Sequence, residues 1–291
     1  MKWLIAGGSG QLGLALKVEL TTRGIEFISV NSQQLDITKQ SEVNAMINSI
    51  QPSVIVNAAA WTDVDGAEIN QSGAHAVNAL GSQYLALAAK EVGSKSIQIS
   101  TDYVFSGEAT RPWPENSDQN PQSAYGSTKS DGEKLVLGAY PTGSYVIRTA
   151  WLYSAEHKNF AKTITKLALN GNGEVRVVND QMGQPTFTGD LAKQIIDLVL
   201  SNAPVGIYHG TSSGQATWFE FAQEIFKLAS ADVRRVIPVS SSEYPRPAKR
   251  PAYSVLSHEG WAKTSVAPMR DWRIALAEAM PAIISAVKAE E

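Results

Sequence analysis

The sequence predicts an α/β protein with a doubly wound parallel sheet. Two observations indicate this fold. Short apolar segments alternate with helical patterns through the first half, and a glycine-rich turn joins the first segment to the first helix. Such alternation favours right-handed strand–helix–strand units, and segments that are apolar throughout are typical of strands covered on both faces. The predicted strands lie at 2–6, 25–30, 53–57, 96–100 and 144–149, and the predicted helices at 11–23, 39–50, 72–92 and 122–138.

The glycine-rich turn follows the first predicted strand. Gly7, Gly10 and Gly13 are spaced Gly-x-x-Gly-x-x-Gly, and Gln11 and Leu12 open the helix that follows. Glycines in such a turn let the backbone approach a pyrophosphate, which the helix N-terminus binds through its amides and its positive dipole end. Because strand and helix supply the required context, the turn predicts a dinucleotide-binding domain of the Rossmann type.

Beyond residue 150 the strands become fewer and shorter. We expect residues 1–150 to form the dinucleotide-binding domain, with later segments returning to it. Residues 151–291 are expected to form mainly a smaller C-terminal α/β substrate-binding domain, which packs at the carboxyl edge of the sheet and completes a cleft. Thr217 and Glu220 form a capping box at the start of one helix, whose aromatic residues we assign to core packing. The predicted helices of this region lie at 158–170, 188–201 and 217–229, and its strands at 175–178 and 206–208.

Composition excludes several classes of function. Of the 291 residues, 43% are hydrophobic and 18% charged, as in an ordinary globular protein. The net charge of -3 gives no electrostatic footprint for nucleic acid or an anionic membrane, and no apolar run approaches the length of a membrane span. The chain has no cysteine, which excludes disulfides and thiolate metal sites. We therefore expect a cytoplasmic protein with no nucleic-acid or membrane partner.

A Tyr-x-x-x-Lys pair, Tyr125 and Lys129, lies on a predicted helix, and Ser100, Thr101 and Asp102 follow the strand upstream of it. Residues four apart share one face of a helix, so the phenol and the ammonium are expected to point the same way. A nearby cation favours phenolate and lowers the phenol pKa from its ordinary value of about 10. Such a tyrosine is suited to exchanging a proton with a carbinol oxygen.

These features resemble the short-chain dehydrogenase/reductase superfamily, in particular its extended branch, which acts on nucleotide sugars. More narrowly, the chain is similar to the dTDP-4-dehydrorhamnose reductase family, whose motifs it carries in order and nearly end to end. The segments at 101–105 and 250–256 are the more diagnostic ones. The matching segments are Asn57-Ala58-Ala59-Ala60, Ser100-Thr101-Asp102-Tyr103-Val104-Phe105, Tyr125-Gly126 with Lys129, Arg148-Thr149-Ala150-Trp151-Leu152-Tyr153, Asn159-Phe160, Asp180-Gln181 with Gly183 and Pro185-Thr186, and Arg250-Pro251 with Ser254 and Leu256.

The resemblance implies reduction of the 4-keto group of dTDP-4-dehydro-L-rhamnose to dTDP-L-rhamnose, with NADPH or NADH as hydride donor. It implies that Tyr125 gives a proton to the forming alkoxide and that Thr101 hydrogen bonds the carbonyl oxygen. Lys129 would hold the nicotinamide ribose and lower the pKa of Tyr125. The expected partner is a dTDP-sugar, and the expected assembly is a monomer or a homodimer.

The remaining site residues follow from the glycine turn and the resemblance. Neither an acid nor a base follows the second strand at Asn31, so NADPH and NADH both stay open. The cationic loop at 244–251 is suited to a diphosphate, with Arg250 supported by the family match. Asp102 either contacts the sugar or caps its loop, and Trp151 either stacks on the ligand or packs in the core. The predicted cofactor-binding residues are Gly7, Gly10, Gln11, Leu12, Gly13, Asn31, Asp36, Ile37, Ala58, Ala59, Ala60, Thr62, Ser100, Tyr125 and Lys129. The predicted substrate-binding residues are Thr101, Asp102, Val104, Tyr125, Trp151, Asn159 and Arg250.

A metal ion is not predicted, although the question of Mg²⁺ stays open. Some members of the resembling family bind Mg²⁺ through glutamates at a dimer contact, one of them early in the first helix. Here that helix has no carboxylate before Glu19. The histidines are scattered along the chain and suggest no cluster; they are His75, His157, His209 and His258.

Two other functions remain open. The first is a nucleotide-sugar 4,6-dehydratase or epimerase on the same scaffold. A dehydratase of the resembling type has a Glu after Thr-Asp as its base, whereas this chain has Tyr103 there. The second is a non-catalytic, NAD(P)-binding regulatory subunit. The presence of Thr101, Tyr125 and Lys129 argues against it, because nothing obliges a pure binder to keep all three.

Overall fold

A parallel sheet of six strands lies at the centre of the computed structural model, which describes residues 1–290. Its strands lie side by side in the order β2-β1-β3-β4-β5-β10, once the strands are numbered along the chain as follows. The strands are β1 (Trp3–Ala6), β2 (Phe27–Val30), β3 (Val54–Asn57), β4 (Lys95–Thr101), β5 (Ser144–Thr149), β6 (Leu152–Tyr153), β7 (Val175–Val178), β8 (Met182–Gly183), β9 (Thr186–Phe187), β10 (Gly206–His209), β11 (Ser212–Ser213), β12 (Ala216–Thr217), β13 (Val236–Val239) and β14 (Met269–Asp271).

Helices cover both faces of this sheet, and others form a C-terminal unit with its own core. The α-helices are α1 (Gln11–Thr22), α2 (Gln40–Ile50), α3 (Val64–Ile69), α4 (Gln71–His75), α5 (Ser82–Glu91), α6 (Ala124–Ala139), α7 (Phe160–Asn170), α8 (Thr188–Leu200), α9 (Trp218–Leu228) and α10 (Trp272–Ala289). A π-helical turn at Ala76–Gly81 joins α4 to α5, and short 3₁₀ helices lie at Asp102–Val104, Val233–Arg235, Ser241–Glu243 and Glu259–Lys263.

The doubly wound sheet predicted from the sequence is confirmed. All neighbouring strands of the central sheet run parallel, and the residues of β1, β3 and β5 are buried along their whole length. Strands buried on both faces need apolar residues at most positions rather than at every second one. This is why these segments could be recognised in the sequence as continuous apolar runs.

The direction of winding changes beside β1, and this change positions the cleft. The chain passes from β1 to β2 on one side and then returns to β3 on the other. The loops that leave the carboxyl ends of β1 and β3 therefore diverge, and they open a crevice between them. The glycine turn leaves one of these strand ends and the Ala58–Ala60 segment leaves the other.

Segments from beyond residue 150 complete the central sheet. β10 pairs with β5 at one edge of the sheet, and α8 packs beside α1 on one face. The two helices share an apolar cluster in which Leu16 and Ile195 are fully buried. The division at residue 150 stays a prediction, and these elements are the later segments that return to the first region.

A second apolar cluster forms the core of the remaining C-terminal unit. It draws on α7, α9 and α10 together with the paired strands β7 and β13. The predicted capping box is confirmed: the Glu220 amide donates to the Thr217 hydroxyl at 3.1 Å, and the Thr217 amide donates to the Glu220 carboxylate at 2.7 Å. Phe221 and Ile225 of α9 are fully buried, as predicted for a core-facing helix stripe.

Helix α10 is an element that the sequence analysis did not identify. Its interior contains Pro281, which has no amide hydrogen and normally interrupts a helix. The buried residues still follow helical spacing and fix the helix against the second core; they are Trp272, Ala275, Leu276, Ala279, Met280, Ile283 and Val287. Within residues 1–290, no helix is both long enough and apolar enough to cross a membrane.

Replacement of Trp272 by Ala tests the second core. Trp272 is 0% exposed, whereas Ile274, two residues further along the same helix, is 58% exposed. Large-to-small substitution of a buried aromatic leaves a cavity, so we expect Trp272→Ala to lower the free energy of unfolding by about 3–5 kcal/mol. The matched control Ile274→Ala should change it by less than about 0.5 kcal/mol. Urea unfolding followed by circular dichroism measures both values, and equal effects would contradict the assignment of this core.

Candidate functional site

A cleft of about 810 Å³ opens at the carboxyl edge of the central sheet and faces the second unit. Its size is that of a small-molecule or cofactor site. Most of the residues predicted for the cofactor and the substrate lie along its walls. Those residues are Gly7, Gly10, Gln11, Leu12, Asp36, Ile37, Ala58, Ala59, Ala60, Thr62, Ser100, Thr101, Asp102, Tyr125, Lys129 and Trp151.

The glycine turn is packed too tightly for side chains. Gly7 has φ +82°, and a Cβ there would lie 2.5 Å from the Ala59 amide nitrogen. A Cβ on Gly13 would lie 2.3 Å from the Gly7 carbonyl oxygen. Gly13 therefore lies behind the turn, where it lets α1 pack against the turn, and it does not line the cleft.

The first turn of α1 is free to bind an anion. Its N-cap is Gly10, and no side chain caps the helix. The amides of the first turn of a helix have no partners within the helix, and the helix dipole adds partial positive charge there. Gln11 and Leu12 of this turn line the cleft, so the turn fits the pyrophosphate of a dinucleotide.

The loop after β2 forms the far end of the cleft. Asp36 and Ile37 line it, as does Ser32. Asn31, a predicted cofactor contact, does not line the cleft; its side chain folds back and accepts hydrogen bonds from the amides of Gln33 at 3.0 Å and Gln34 at 3.1 Å. Asn31 shapes this loop, and Ser32 occupies the wall of the cleft instead.

Thr101, Tyr125 and Lys129 meet where β4 ends. Thr101 is the last residue of β4, and α6 supplies the other two from positions four apart. Ser123 caps α6 by accepting from the Gly126 amide at 3.1 Å. The Lys129 ammonium donates to the Ile99 carbonyl at 2.6 Å, which ties α6 to β4. The predicted helix face is thus brought against the predicted strand end.

The pKa of Tyr125 shifts in the direction opposite to the sequence expectation. Burial of the phenol raises its pKa to about 12, the neighbouring Thr101 hydroxyl lowers it in part, and the Asp102 carboxylate raises it further. Burial also lowers the pKa of Lys129 to about 8, with Glu133 opposing this shift. The phenol therefore carries its proton at neutral pH, as a proton donor must.

Asp102 has an unusual environment for a carboxylate. It is 2% exposed, its Oδ1 accepts from the Thr101 hydroxyl at 2.9 Å, and its buried Oδ2 has no hydrogen-bond partner within residues 1–290. Burial raises its pKa to about 6, against the opposing hydroxyls of Ser254 and Thr101. Asp102 lines the cleft and also begins a 3₁₀ turn, so sugar contact and loop cap, its two alternatives, are both compatible with its position.

A second buried carboxylate, that of Glu133, supports this wall from beneath. It accepts from the Ser100 hydroxyl and from Gln119, each at 2.5 Å. It also forms a bidentate ion pair with Arg148, whose shortest nitrogen–oxygen distance is 2.7 Å. Both members of the pair are 1% exposed. The pair joins α6 to β5 directly under the Tyr–Lys face, and the Ser100 contact adds β4.

The Arg148 guanidinium has further partners in the same layer. It donates to the Glu115 carbonyl at 3.0 Å and lies 4.9 Å from the centre of the Phe105 ring. The ring nitrogen Nε2 of His209 lies 3.4 Å from it. Burial lowers the pKa of His209 to about 3, and Arg148 adds to this shift, so the imidazole is neutral and accepts.

Two stacked tryptophans form the opposite wall. Trp151 stacks on Trp218 with ring centres 3.5 Å apart, and both line the cleft. Trp151 has φ +47°, a left-handed conformation that is strained for a bulky residue. Both rings also rest on the second core, so ligand contact and core packing, the two alternatives for Trp151, are both compatible with its position.

Trp218 was expected to pack in the core, and its place in the cleft was not predicted. No local signal marks it, because it is the first residue of an amphipathic helix whose other aromatics do pack inward. His157 and Lys158 also line the cleft and were missed. They lie on a loop whose position depends on contacts with the glycine turn, far away in the sequence.

Three residues predicted for the substrate do not line the cleft. Val104 is fully buried in a small apolar cluster with Phe105 and Leu256. Asn159 caps α7 and donates to the Gln11 side chain at 3.0 Å, which places it beside the cofactor turn. Arg250 forms a bidentate pair with Asp65 at 3.1 and 3.0 Å.

The Asp65 carboxylate holds the cationic loop against α3. It accepts from both terminal nitrogens of Arg250, and the Arg246 guanidinium lies 3.8 Å away. Hydrogen bonding from Arg250 lowers the pKa of Asp65. The third cation of the loop, Lys249, approaches Gln122 instead, at 3.5 Å. The diphosphate role of Arg250 stays a prediction, with the guanidinium partly neutralised by Asp65.

The fold and the cleft define a Rossmann-type protein of the extended short-chain dehydrogenase/reductase class, with a dinucleotide turn beside a Tyr–Lys pair. Residues 1–284 match the family model described as RmlD substrate binding domain, and the chain belongs to this family. No group of three or more histidine and carboxylate side chains in residues 1–290 is arranged to hold a metal ion.

Named relatives match over nearly their whole length. A probable dTDP-4,6-dihydroxy-2-methyloxan-3-one 4-ketoreductase of Streptomyces antibioticus is 44% identical over 98% of this chain and 97% of its own. A dTDP-4-dehydrorhamnose reductase of Streptomyces griseus is 43% identical over 97% and 94%. The crystal structure of dTDP-4-dehydrorhamnose reductase from Bacillus anthracis strain Ames in complex with NADP is 35% identical, with a TM-score of 0.92 over 96% of this chain and 98% of that chain.

Replacement of Glu133 by Gln tests the support beneath the site. It leaves the buried Arg148 guanidinium without its counter-charge, so we expect a loss of about 3–5 kcal/mol in the free energy of unfolding. Asp131→Asn is the matched control, because Asp131 lies on the same helix but is 47% exposed, and it should change stability by less than about 0.5 kcal/mol. Urea unfolding measures both, and a stable Glu133→Gln protein would show that the ion pair does not hold this wall.

Proposed function

We propose that this protein reduces the 4-keto group of dTDP-4-dehydro-L-rhamnose to dTDP-L-rhamnose with NADPH or NADH, in nucleotide-sugar biosynthesis. The observation that carries the proposal is the meeting of Thr101, Tyr125 and Lys129 in the cleft that also contains the glycine turn. The family and the names of its relatives support a dTDP-sugar as the substrate. We infer a cytoplasmic enzyme that acts as a monomer or a homodimer.

The residues of the cleft fit a nicotinamide dinucleotide. A Cβ on Gly7 would fill the space against Ala59, so the turn keeps its backbone free, and the uncapped start of α1 fits a pyrophosphate. When bound, the reduced nicotinamide supplies hydride to the carbonyl carbon. Lys129 is the residue that would hold the nicotinamide ribose.

Tyr125 is the proton donor in this proposal. Its pKa of about 12 keeps the phenol protonated at neutral pH, and an alkoxide forming beside it is basic enough to take that proton. Thr101 fixes the carbonyl oxygen by a hydrogen bond. The Lys129 ammonium stabilises the negative charge left on the phenol and so favours the transfer.

Asp102 is proposed to contact a sugar hydroxyl. It lines the cleft next to Thr101, and its Oδ1 accepts from the Thr101 hydroxyl at 2.9 Å. A hydroxyl of the sugar would donate a hydrogen bond to this carboxylate, which would orient the sugar ring. Trp151 and Trp218 supply the apolar surface on which the sugar or the base rests.

Position 103 argues against a dehydratase. Burial and the adjacent Asp102 raise the pKa of Tyr103 well above that of an ordinary phenol, so this side chain cannot serve as a base at neutral pH. Its ring makes an edge-to-face contact with Tyr125 at 5.6 Å. The position is thus occupied by a residue that packs against the proton donor.

The reaction itself can be tested with dTDP-4-dehydro-L-rhamnose as substrate. We expect the purified protein to consume NADPH or NADH, measured by the absorbance of reduced nicotinamide, and to form dTDP-L-rhamnose, identified by chromatography. A second assay with each cofactor alone is the control for substrate-independent oxidation. Failure to consume either cofactor, or isolation of the protein with unexchangeable NAD, would count against a reductase.

Replacement of Tyr125 by Phe separates catalysis from binding. Removal of a general acid typically costs 10²–10⁴-fold, so we expect kcat to fall by about 100-fold or more, while NADP⁺ affinity changes little. Tyr84→Phe is the control, because Tyr84 is a partly buried tyrosine that packs against the core under α2 and α5. Steady-state kinetics and NADP⁺ titration measure the two effects. Full activity of Tyr125→Phe would refute the assigned role.

A further inference from the structure

The loop between β6 and α7 lies across the glycine turn. His157 Nε2 donates to the Ser9 carbonyl at 2.6 Å. Ser154 Oγ and Asn159 Nδ2 both donate to the side-chain oxygen of Gln11, each at 3.0 Å. These contacts join residues more than a hundred positions apart in the sequence, and they fix the loop 154–159 above the start of α1.

The loop is held in one conformation from its own side as well. Asn159 accepts from the Lys162 amide at 3.0 Å as the cap of α7, and its Nδ2 also donates to the Ser154 carbonyl at 2.8 Å. His157 has φ +57°, a left-handed conformation that turns the chain sharply. His157 and Lys158 are thereby carried to the wall of the cleft.

Within residues 1–290, Lys158 is the cation of this wall that has no partner. Lys129 and Lys158 are the lysines among the cleft-lining residues of the described chain. The Lys129 ammonium is engaged by the Ile99 carbonyl at 2.6 Å, whereas Lys158 makes no hydrogen bond or ion pair within residues 1–290.

Two other cations of the first region are already neutralised. Arg23 pairs with Glu19 and with Asp197, each at 2.6 Å. Lys39, in the region where a phosphate of NADP would be sought, lies 2.9 Å from Glu42. A dinucleotide brings two negative charges at its pyrophosphate alone, so a free ammonium next to the turn has a natural counter-charge.

We propose that Lys158 binds the pyrophosphate of the dinucleotide and that His157 is a positioning residue that holds Lys158 over the turn. This inference rests on the proposed function, since it concerns the cofactor of that reaction. The backbone amides of the turn bind the phosphate oxygens from one side, and the ammonium approaches from the other. The loop thus acts as the second half of the phosphate site.

Calorimetric titration of the purified protein with NADP⁺ and with NAD⁺ tests the proposal without turnover. Loss of an exposed charge-assisted contact is expected to weaken binding about tenfold, so Lys158→Ala should lose about tenfold in affinity for both dinucleotides. Lys158→Arg keeps the charge and should retain most of the affinity. Lys166→Ala, which removes one exposed lysine from α7 outside the cleft wall, is the matched control and should bind as the unaltered protein does.

The test of His157 must distinguish positioning of Lys158 from a general contribution to the stability of the fold. If it acts by placing Lys158, His157→Ala should weaken binding when Lys158 is present and should add little in the Lys158→Ala protein. The affinity of the unaltered protein should also fall more steeply with added salt than that of Lys158→Ala, because one ionic contact has been removed.

The outcomes separate the inference from the function on which it rests. If the unaltered protein binds neither dinucleotide, the proposed function fails. If it binds them and Lys158→Ala binds equally well, the inference fails while the function stands. Weakening confined to NADP⁺ would also overturn the inference, because it would assign Lys158 to the additional phosphate of NADP⁺ rather than to the pyrophosphate.

Discussion

The bidentate ion pair between Glu133 and Arg148 is the interaction on which the catalytic wall depends. Each side chain is 1% exposed, and each would be unstable in this position without the other. The pair connects the helix that carries the Tyr–Lys face to β5, and the same carboxylate accepts from Ser100 of β4. The geometry of Thr101, Tyr125 and Lys129 is therefore supported by a buried ion pair whose two residues do not line the cleft.

A second feature of this wall is electrostatic. A buried ammonium on α6 and a buried carboxylate after β4 both line the cleft, and burial shifts each of them toward its neutral form. The pKa of Lys129 falls to about 8 and that of Asp102 rises to about 6. Both groups thus titrate nearer to neutral pH than ordinary side chains of their type, which is typical of functional sites.

The sequence predicted those features that depend on neighbouring residues. Strands covered on both faces need continuous apolar runs, the dinucleotide turn of this chain needs Gly7 and Gly13, and residues four apart on a helix must share a face. Features that depend on distant contacts could not be predicted in this way. The Asp65–Arg250 pair, the contact of Asn159 with Gln11 and the stacking of Trp218 on Trp151 each join separate parts of the chain. The direction of the Tyr125 pKa shift was missed because burial, which the sequence does not reveal, raises this pKa, and the group that lowers it in part is the Thr101 hydroxyl rather than the nearby cation.

The late position of β10 and α8 bears on how the chain folds during its synthesis. When the first strands and α1 have emerged from the ribosome, α8 has not yet been translated, and the apolar stripe of Leu12, Leu16 and Leu20 lacks the helix that buries it. The nascent polypeptide therefore exposes this apolar surface until residues near 200 leave the exit tunnel. Such an interval invites chaperone binding and makes truncated translation products prone to aggregate.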